Sequence, residues 1–230
     1  VFARDAESET FARRIAPAAK LSLTTDVAFL LPWQPPVRQA GGPIRIGLNA
    51  SGLLYAGRGF GLSVPYAALI DALVADWTAR DGHEVYLVTH VLAAPGDADQ
   101  DQAVSDRLVA RFPAVRRAPA FHDPRDAKSW IAGLDFFVGA RMHACIAAFS
   151  AGVPLVPLAY TRKATGLFRS LGYDAVADLR SGGLQDALRT VRDGLERRSE
   201  LAVLAAVGNR EAAERLRVYT DLVARMVAAA

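Results

Sequence analysis

The stretch Asp135-Phe136-Phe137-Val138-Gly139-Ala140-Arg141-Met142-His143-Ala144 runs from an apolar strand through a tight Gly-Ala turn into a helix. In a parallel α/β sheet, ligands bind where the strands end. Arg141 and His143 therefore fall in the first turn of a helix facing a crevice, where backbone amides already favour an anion. The competing assignment has Arg141 capping a neighbouring carbonyl and His143 as a satisfied, half-buried histidine. The next strand ends at Leu158-Ala159-Tyr160 and is followed by Thr161-Arg162-Lys163, which brings two more cations to the same sheet edge. Cations in a first helical turn oppose the helix dipole by about 0.3–1 kcal/mol each when exposed. A bound anion would offset that cost, whereas a solvated helix start would not. His90, at the end of the strand predicted over 84–89, falls on this edge as well.

Other patterns are less productive. Gly52 to Gly61 is glycine-rich and follows a strand, but Arg58-Gly59 stands where a phosphate loop needs Lys-Ser/Thr, and the dinucleotide Gly-x-Gly-x-x-Gly spacing is absent. A mobile loop beside the ligand is the expectation there. His83, His90 and His122 have no metal-ligand spacing, so no protein-built metal site is expected. His83 reads as a surface turn residue and His122 as a turn organiser. No Gly-x-Ser-x-Gly elbow is present.

These residues need a sheet to carry them, and the chain alternates accordingly. Strands are predicted over 44–50, 84–89, 117–121, 136–139 and 155–160. Helices are predicted over 64–80, 101–112, 125–133, 141–151 and 163–171, with two more over 183–196 and 200–228. Buried apolar strands alternating with helices predict an α/β fold, a Rossmann-like parallel sheet with helices on both faces. The Pro- and Gly-rich segment from Pro32 to Pro43 reads as a linker.

With 230 residues, 52% hydrophobic content and a net charge of +3, the chain has material for a sizeable core and no basic blocks of the kind that bind nucleic acid. A single cysteine, Cys145, excludes an internal disulfide and reads as core filler. The longest weakly polar stretch, Cys145 to Tyr160, is broken by Ser150, Gly152, Pro154 and Pro157, so no membrane span is expected. The opening Val1-Phe2-Ala3-Arg4-Asp5 carries no Met and no signal-peptide pattern, and suggests a piece of a longer polypeptide.

Four segments together resemble the polysaccharide pyruvyl transferase family over nearly the whole length. They are Arg4-Asp5-Ala6-Glu7-Ser8; Thr25-Asp26-Val27-Ala28-Phe29; Gly139-Ala140-Arg141-Met142-His143-Ala144; and Ala151-Gly152-Val153-Pro154 with Tyr160-Thr161-Arg162-Lys163. The resemblance implies transfer of a pyruvyl group from phosphoenolpyruvate to a sugar of a cell-surface polysaccharide or its precursor, without a cofactor. It also implies a two-Rossmann arrangement like that of GT-B glycosyltransferases, of which this chain would be the C-terminal half. On that basis residues 1–40 would be the tail of an N-terminal domain plus linker, 41–200 the Rossmann-like domain and 201–230 a C-terminal helix.

The same resemblance makes His143 the general acid and places Arg4 and Lys163 on the donor. Arg141 would position the donor or His143, and His90 is a further substrate-binding candidate. A cytoplasmic setting is implied, peripheral to the membrane if the acceptor is lipid-linked. Two alternatives stand beside this one. A GT-B nucleotide-sugar glycosyltransferase would use an acidic residue on the ribose, where this chain has the basic Arg162-Lys163; a non-catalytic binding fragment would keep the sheet without a reaction centre.

Overall fold

The computed structural model describes residues 1–34, 36–37, 41–57, 60–92, 94, 97 and 99–228. Its first elements are β1 (Phe2–Ala3), α1 (Ala6–Ile15) and β2 (Ser22–Leu23), with β1 and β2 paired in parallel as a small separate sheet. A 3-10 turn, Val27–Leu30, follows. None of these elements has the apolar periodicity that signals a buried element; α1 buries no residue fully. Its markers are chemical instead. Asp5 caps the first turn by accepting from the Ser8 amide at 2.7 Å, Glu7 and Glu9 sit at the start, and Arg13 and Arg14 at the end.

The main body begins at β3 (Ile44–Asn49) and continues through α2 (Gly52–Tyr55), α3 (Tyr66–Thr78), β4 (His83–Leu87), α4 (Asp101–Arg111), β5 (Arg116–Arg117) and α5 (Pro124–Ile131). It is completed by β6 (Phe136–Gly139), α6 (Met142–Ser150), β7 (Leu155–Ala159), α7 (Arg162–Ser170), β8 (Ala177–Asp178), α8 (Leu184–Glu196) and α9 (Arg198–Ala228). The six strands from β3 onward form one all-parallel sheet in the order β5-β4-β3-β6-β7-β8. Counted from its own first strand, that is the 3-2-1-4-5-6 order of the doubly wound Rossmann fold. Right-handed crossovers in this order must run on one face up to β5 and on the other from β6. Accordingly α8 returns to pack on α3, while α5 and α9 pack on α6.

The core is continuous across the sheet. Phe136, Phe137, Leu155, Val156, Trp77, Phe149 and Phe168 are wholly buried, which explains why these strands read as unbroken apolar runs rather than alternating ones. The linker prediction falls partly on Pro35, Arg38, Gln39 and Ala40, which lie outside the described residues, as do Arg58 and Gly59 of the glycine-rich loop. The boundary expected at 200/201 lies inside α9, which runs unbroken from Arg198. His83 corrects its surface assignment: it begins β4 opposite Ile44 and is partly buried, because the Gly82 turn feeds directly into the sheet. Cys145 is buried, its thiol held by the Gly139 carbonyl at 3.2 Å.

Long helix α9 crosses α6 at a glycine. A Cβ on Gly208 would stand 2.6 Å from the Phe149 ring and 2.9 Å from the Leu171 carbonyl oxygen. The ring can shift, but the carbonyl belongs to backbone. Gly208→Ala gains about 0.8–1 kcal/mol of helix propensity and loses about 1–3 kcal/mol to overpacking. The expected net result is a lower midpoint in urea unfolding with helix content unchanged.

Candidate active site

The switch point of the sheet, between β3 and β6, is where the strand order reverses and a crevice opens at the carboxyl ends. Asn49 closes β3 there, wholly buried. Its side-chain oxygen accepts from the Arg141 amide at 2.9 Å, and its nitrogen donates to the Val88 carbonyl at 2.9 Å. One asparagine thus joins the ends of three adjacent strands.

Beneath it lies Asp101, the first residue of α4, with no exposed surface. Its carboxylate accepts from the backbone amides of Gly52 at 2.9 Å, Val91 at 3.1 Å and His90 at 3.2 Å. Arg141 completes the cluster: its Nη2 reaches Asp101 at 2.7 Å, Asp99 Oδ1 at 2.6 Å and the Asp99 carbonyl at 2.9 Å. Burial works against the Arg141 charge, but Asp101 and then Asp99 outweigh it and push the guanidinium above its ordinary value. The Nε and Nη2 groups of Arg141 are taken up by these carboxylates, so this side chain acts as a tie within the protein. It fixes where α6 starts.

His143, two residues on, has the opposite environment. It sits in the first turn of α6 with half its side chain exposed, its Nε2 3.7 Å from Asp26 Oδ2. The same oxygen accepts from Arg4 Nη1 at 3.0 Å, while Asp26 Oδ1 caps the 3-10 turn by accepting from the Ala28 amide at 3.0 Å. The His143 ring does most to hold the Asp26 carboxyl well below the usual carboxylate range, helped by Ala28 and Arg4 against the effect of burial. Reciprocally, Asp26 raises the imidazole above its ordinary value, against partial burial and the nearby Arg4. The His90 ring stacks beside it, centroids 6.3 Å apart and planes 23° apart. Loss of hydration first, then the charges of His143 and Arg141, lower His90 against the opposing pull of Asp101. The two neighbouring imidazoles are therefore shifted in opposite directions, His143 up and His90 down.

Two cavities open near these residues. The larger, of about 860 Å³, is lined by Asp26, His90, His122, Lys128 and His143 over an apolar floor that includes Phe121. The smaller, of about 580 Å³, lies between α1 and α7 and is lined by Asp5, Ser8, Thr161, Arg162 and Lys163. The sequence-predicted residues are thus divided. Arg4, His143, His90 and Arg141 converge on one network, whereas Lys163 is exposed at the start of α7 and faces the other cavity. Arg4 contacts the first through Asp26, and its neighbour Asp5 lines the second. His122 lies in the larger cavity, beyond the turn role expected of it.

Sequence reasoning gave no role to Asp26, Asp101, Asn49 or Lys128. Asp26 stood inside a segment already singled out and precedes a short apolar turn, an N-cap signal that was available. The other three carry no local signal, because their partners are distant in the chain. Among the described residues no cluster of three or more His, Cys, Asp or Glu is arranged to hold a metal.

Two stability predictions follow from these networks. Asp101→Ala leaves the Arg141 charge buried without its main partner, a loss of about 3–5 kcal/mol that urea unfolding would register. The depressed Asp26 carboxyl contributes stability above the unfolded carboxylate value, about 4, and loses it as pH falls through its folded value. The raised His143 contributes below the unfolded imidazole value, about 6.5, and loses it as pH rises through its folded value. The pair is therefore most stabilising between pH ~4 and ~6.5. A melting-temperature profile of Asp26→Asn against wild type should show its largest deficit in that window.

The polysaccharide pyruvyl transferase family profile matches residues 1–162, ending one residue before Lys163. No curated protein matches the chain. Similar solved structures include a sucrose-phosphate synthase from Thermosynechococcus elongatus, with 14% identity, a TM-score of 0.56, and cover of 100% of this chain and 59% of that one. The Anabaena HepE protein in complex with UDP and glucose gives 16% identity and a TM-score of 0.58, covering 100% and 63%. A putative UDP-N-acetylglucosamine 2-epimerase from Listeria monocytogenes gives 12% and 0.59, covering 96% and 59%. The chain thus spans about three fifths of the length of these structures. The fold they share is the parallel α/β architecture of the GT-B type. With the family profile covering well over half of its residues, the chain belongs to the polysaccharide pyruvyl transferase family.

Proposed function

We propose that the chain contributes the reaction centre for transfer of pyruvate from phosphoenolpyruvate to a saccharide as a ketal. The observation that carries this reading is His143: half-exposed, raised toward its charged form by Asp26, and placed beside Arg4 at the carboxyl edge of the sheet. Ketal formation begins with a proton on the terminal methylene of phosphoenolpyruvate, which leaves positive charge on the oxygen-bearing carbon. His143 is the donor of that proton. An acceptor hydroxyl then bonds to this carbon and gives up its proton, phosphate leaves with the enol oxygen, and a second hydroxyl closes the ring. The two hydroxyl protons balance the one taken from His143 and the one that accompanies phosphate.

A donor with a phosphate and a carboxylate needs several cations. Arg4 has guanidinium N–H groups beyond the one given to Asp26, and Arg162 and Lys163 add charge from the neighbouring strand end. His90, stacked on His143 and shifted in the opposite direction, competes less for the proton. The basic Arg162-Lys163 pair also supports a small anionic donor over a nucleotide sugar, because neither side chain can accept from a ribose hydroxyl.

In the full-length enzyme, His143→Ala should cut kcat by about 10²–10⁴-fold with the calorimetric affinity for phosphoenolpyruvate retained. Arg4→Ala and Lys163→Ala should each weaken that affinity. Unchanged turnover in the His143 variant would remove the general acid; uptake of UDP-sugars in place of phosphoenolpyruvate would replace the reaction itself.

A further inference from the structure

Lys128 is a buried titratable group for which the reaction above has no use. It lies on α5 with 1% of its surface exposed. Its Nζ donates to the Leu31 carbonyl at 2.8 Å and the Phe29 carbonyl at 3.4 Å, and no carboxylate partners it among the described residues. Burial pushes the amine down to about 8. Taking an ammonium out of water without a counter-charge is unfavourable, and a leucine or methionine would fill the same volume at no such cost.

What the ammonium holds explains its presence. The carbonyls of Phe29 and Leu31 lie at the far end of the 3-10 turn Val27–Leu30, where a helical turn carries its negative pole. At the near end of that turn stands its cap, Asp26. The turn packs on α6, the helix that carries His143, through the Phe29 and Phe149 rings 5.9 Å apart. A second tie from α5 continues the fastening, the Ser129 hydroxyl accepting from the Gln34 amide at 3.0 Å. We infer that Lys128 is a positioning residue: by clamping the carboxyl end of this turn to α5, it fixes the Asp26 carboxylate in register with His143.

The consequence is read at His143. The charged and titratable groups closest to that ring are Asp26 before the turn, Arg4 after β1 and His90 after β4, while His122, Asp123 and Lys128 line the same cavity. With the clamp released, the carboxylate is no longer held 3.7 Å away, and the imidazole loses the partner that favours its charged form. Two residues on different helices are thereby coupled through a four-residue turn.

The inference rests on the role given to His143 but is tested without substrate. NMR titration of the four histidine rings, with His143 assigned through His143→Gln, should show the His143 midpoint fall in Lys128→Met. Asp26→Asn should move it the same way, and the double variant no further, as expected if both act through one contact. Lys128→Gln, which keeps a hydrogen-bond donor on a shorter side chain, should lie between wild type and Lys128→Met and serves if that variant fails to fold. In turnover, the alkaline limb should move to lower pH and kcat should fall about tenfold above it, a part of what a positioned acid supplies. A folded variant whose His143 midpoint is unchanged overturns the inference and leaves the transferase reading standing. A shifted midpoint in an enzyme that never uses phosphoenolpyruvate does the reverse.

Discussion

The buried contact between Asp101 and Arg141 is the constraint on which the site depends. Taken alone it is a poor source of stability, since removing two charges from water offsets most of what their attraction returns. Its value is in what the carboxylate also binds. Three backbone amides, from the segments after β3 and β4, converge on Asp101 together with the guanidinium. An apolar pair of the same volume could not satisfy those amides, and each buried N–H without a partner would cost about 1–3 kcal/mol. The ion pair therefore sets the relative heights of the strand ends, and with them the point at which α6 begins.

From that point the chemistry divides over two residues. Arg141 is the non-helical cap of α6 and turns inward; His143 lies in the first turn and faces the crevice. Spacing alone made the two look equivalent, as a pair of cations at one helix start. Burial separates them. A guanidinium with 9% of its side chain exposed and two carboxylate partners is a structural tie, whereas an imidazole with 54% exposed and one carboxylate behind it remains open to a ligand.

The remaining positive charge is spread rather than pooled. Arg4 shares its carboxylate with His143, and Lys163 and Arg162 line a separate cavity against α1. Asp5 lines that cavity, while its neighbour Arg4 bonds Asp26 of the larger one. Lys128 adds charge of another kind, buried and committed to carbonyl oxygens. Together with the Phe29–Phe149 contact and the Ser129–Gln34 bond, its hydrogen bonds fasten a short, apolar, unperiodic segment between α5 and α6.

The sequence by itself determined the architecture. Apolar runs at 44–50, 84–89, 136–139 and 155–160, separated by helical stretches, point to a parallel sheet covered on both faces. They also put Arg141, His143, Lys163 and His90 at strand ends, because a strand's end is a local property. The quieter elements before residue 31, and the two-residue strand β8, bury too little apolar surface to leave a pattern, and the strand expected over 117–121 is reduced to Arg116–Arg117. What only the tertiary structure decided is which of those charged groups stay free. The partners of His143, Arg141 and Lys128 lie tens of residues away in the chain, and charge pairing at such separations is set by the packing of helices across the sheet. Periodicity reports which face of an element is buried; it carries no record of what the polar residues at its end will meet.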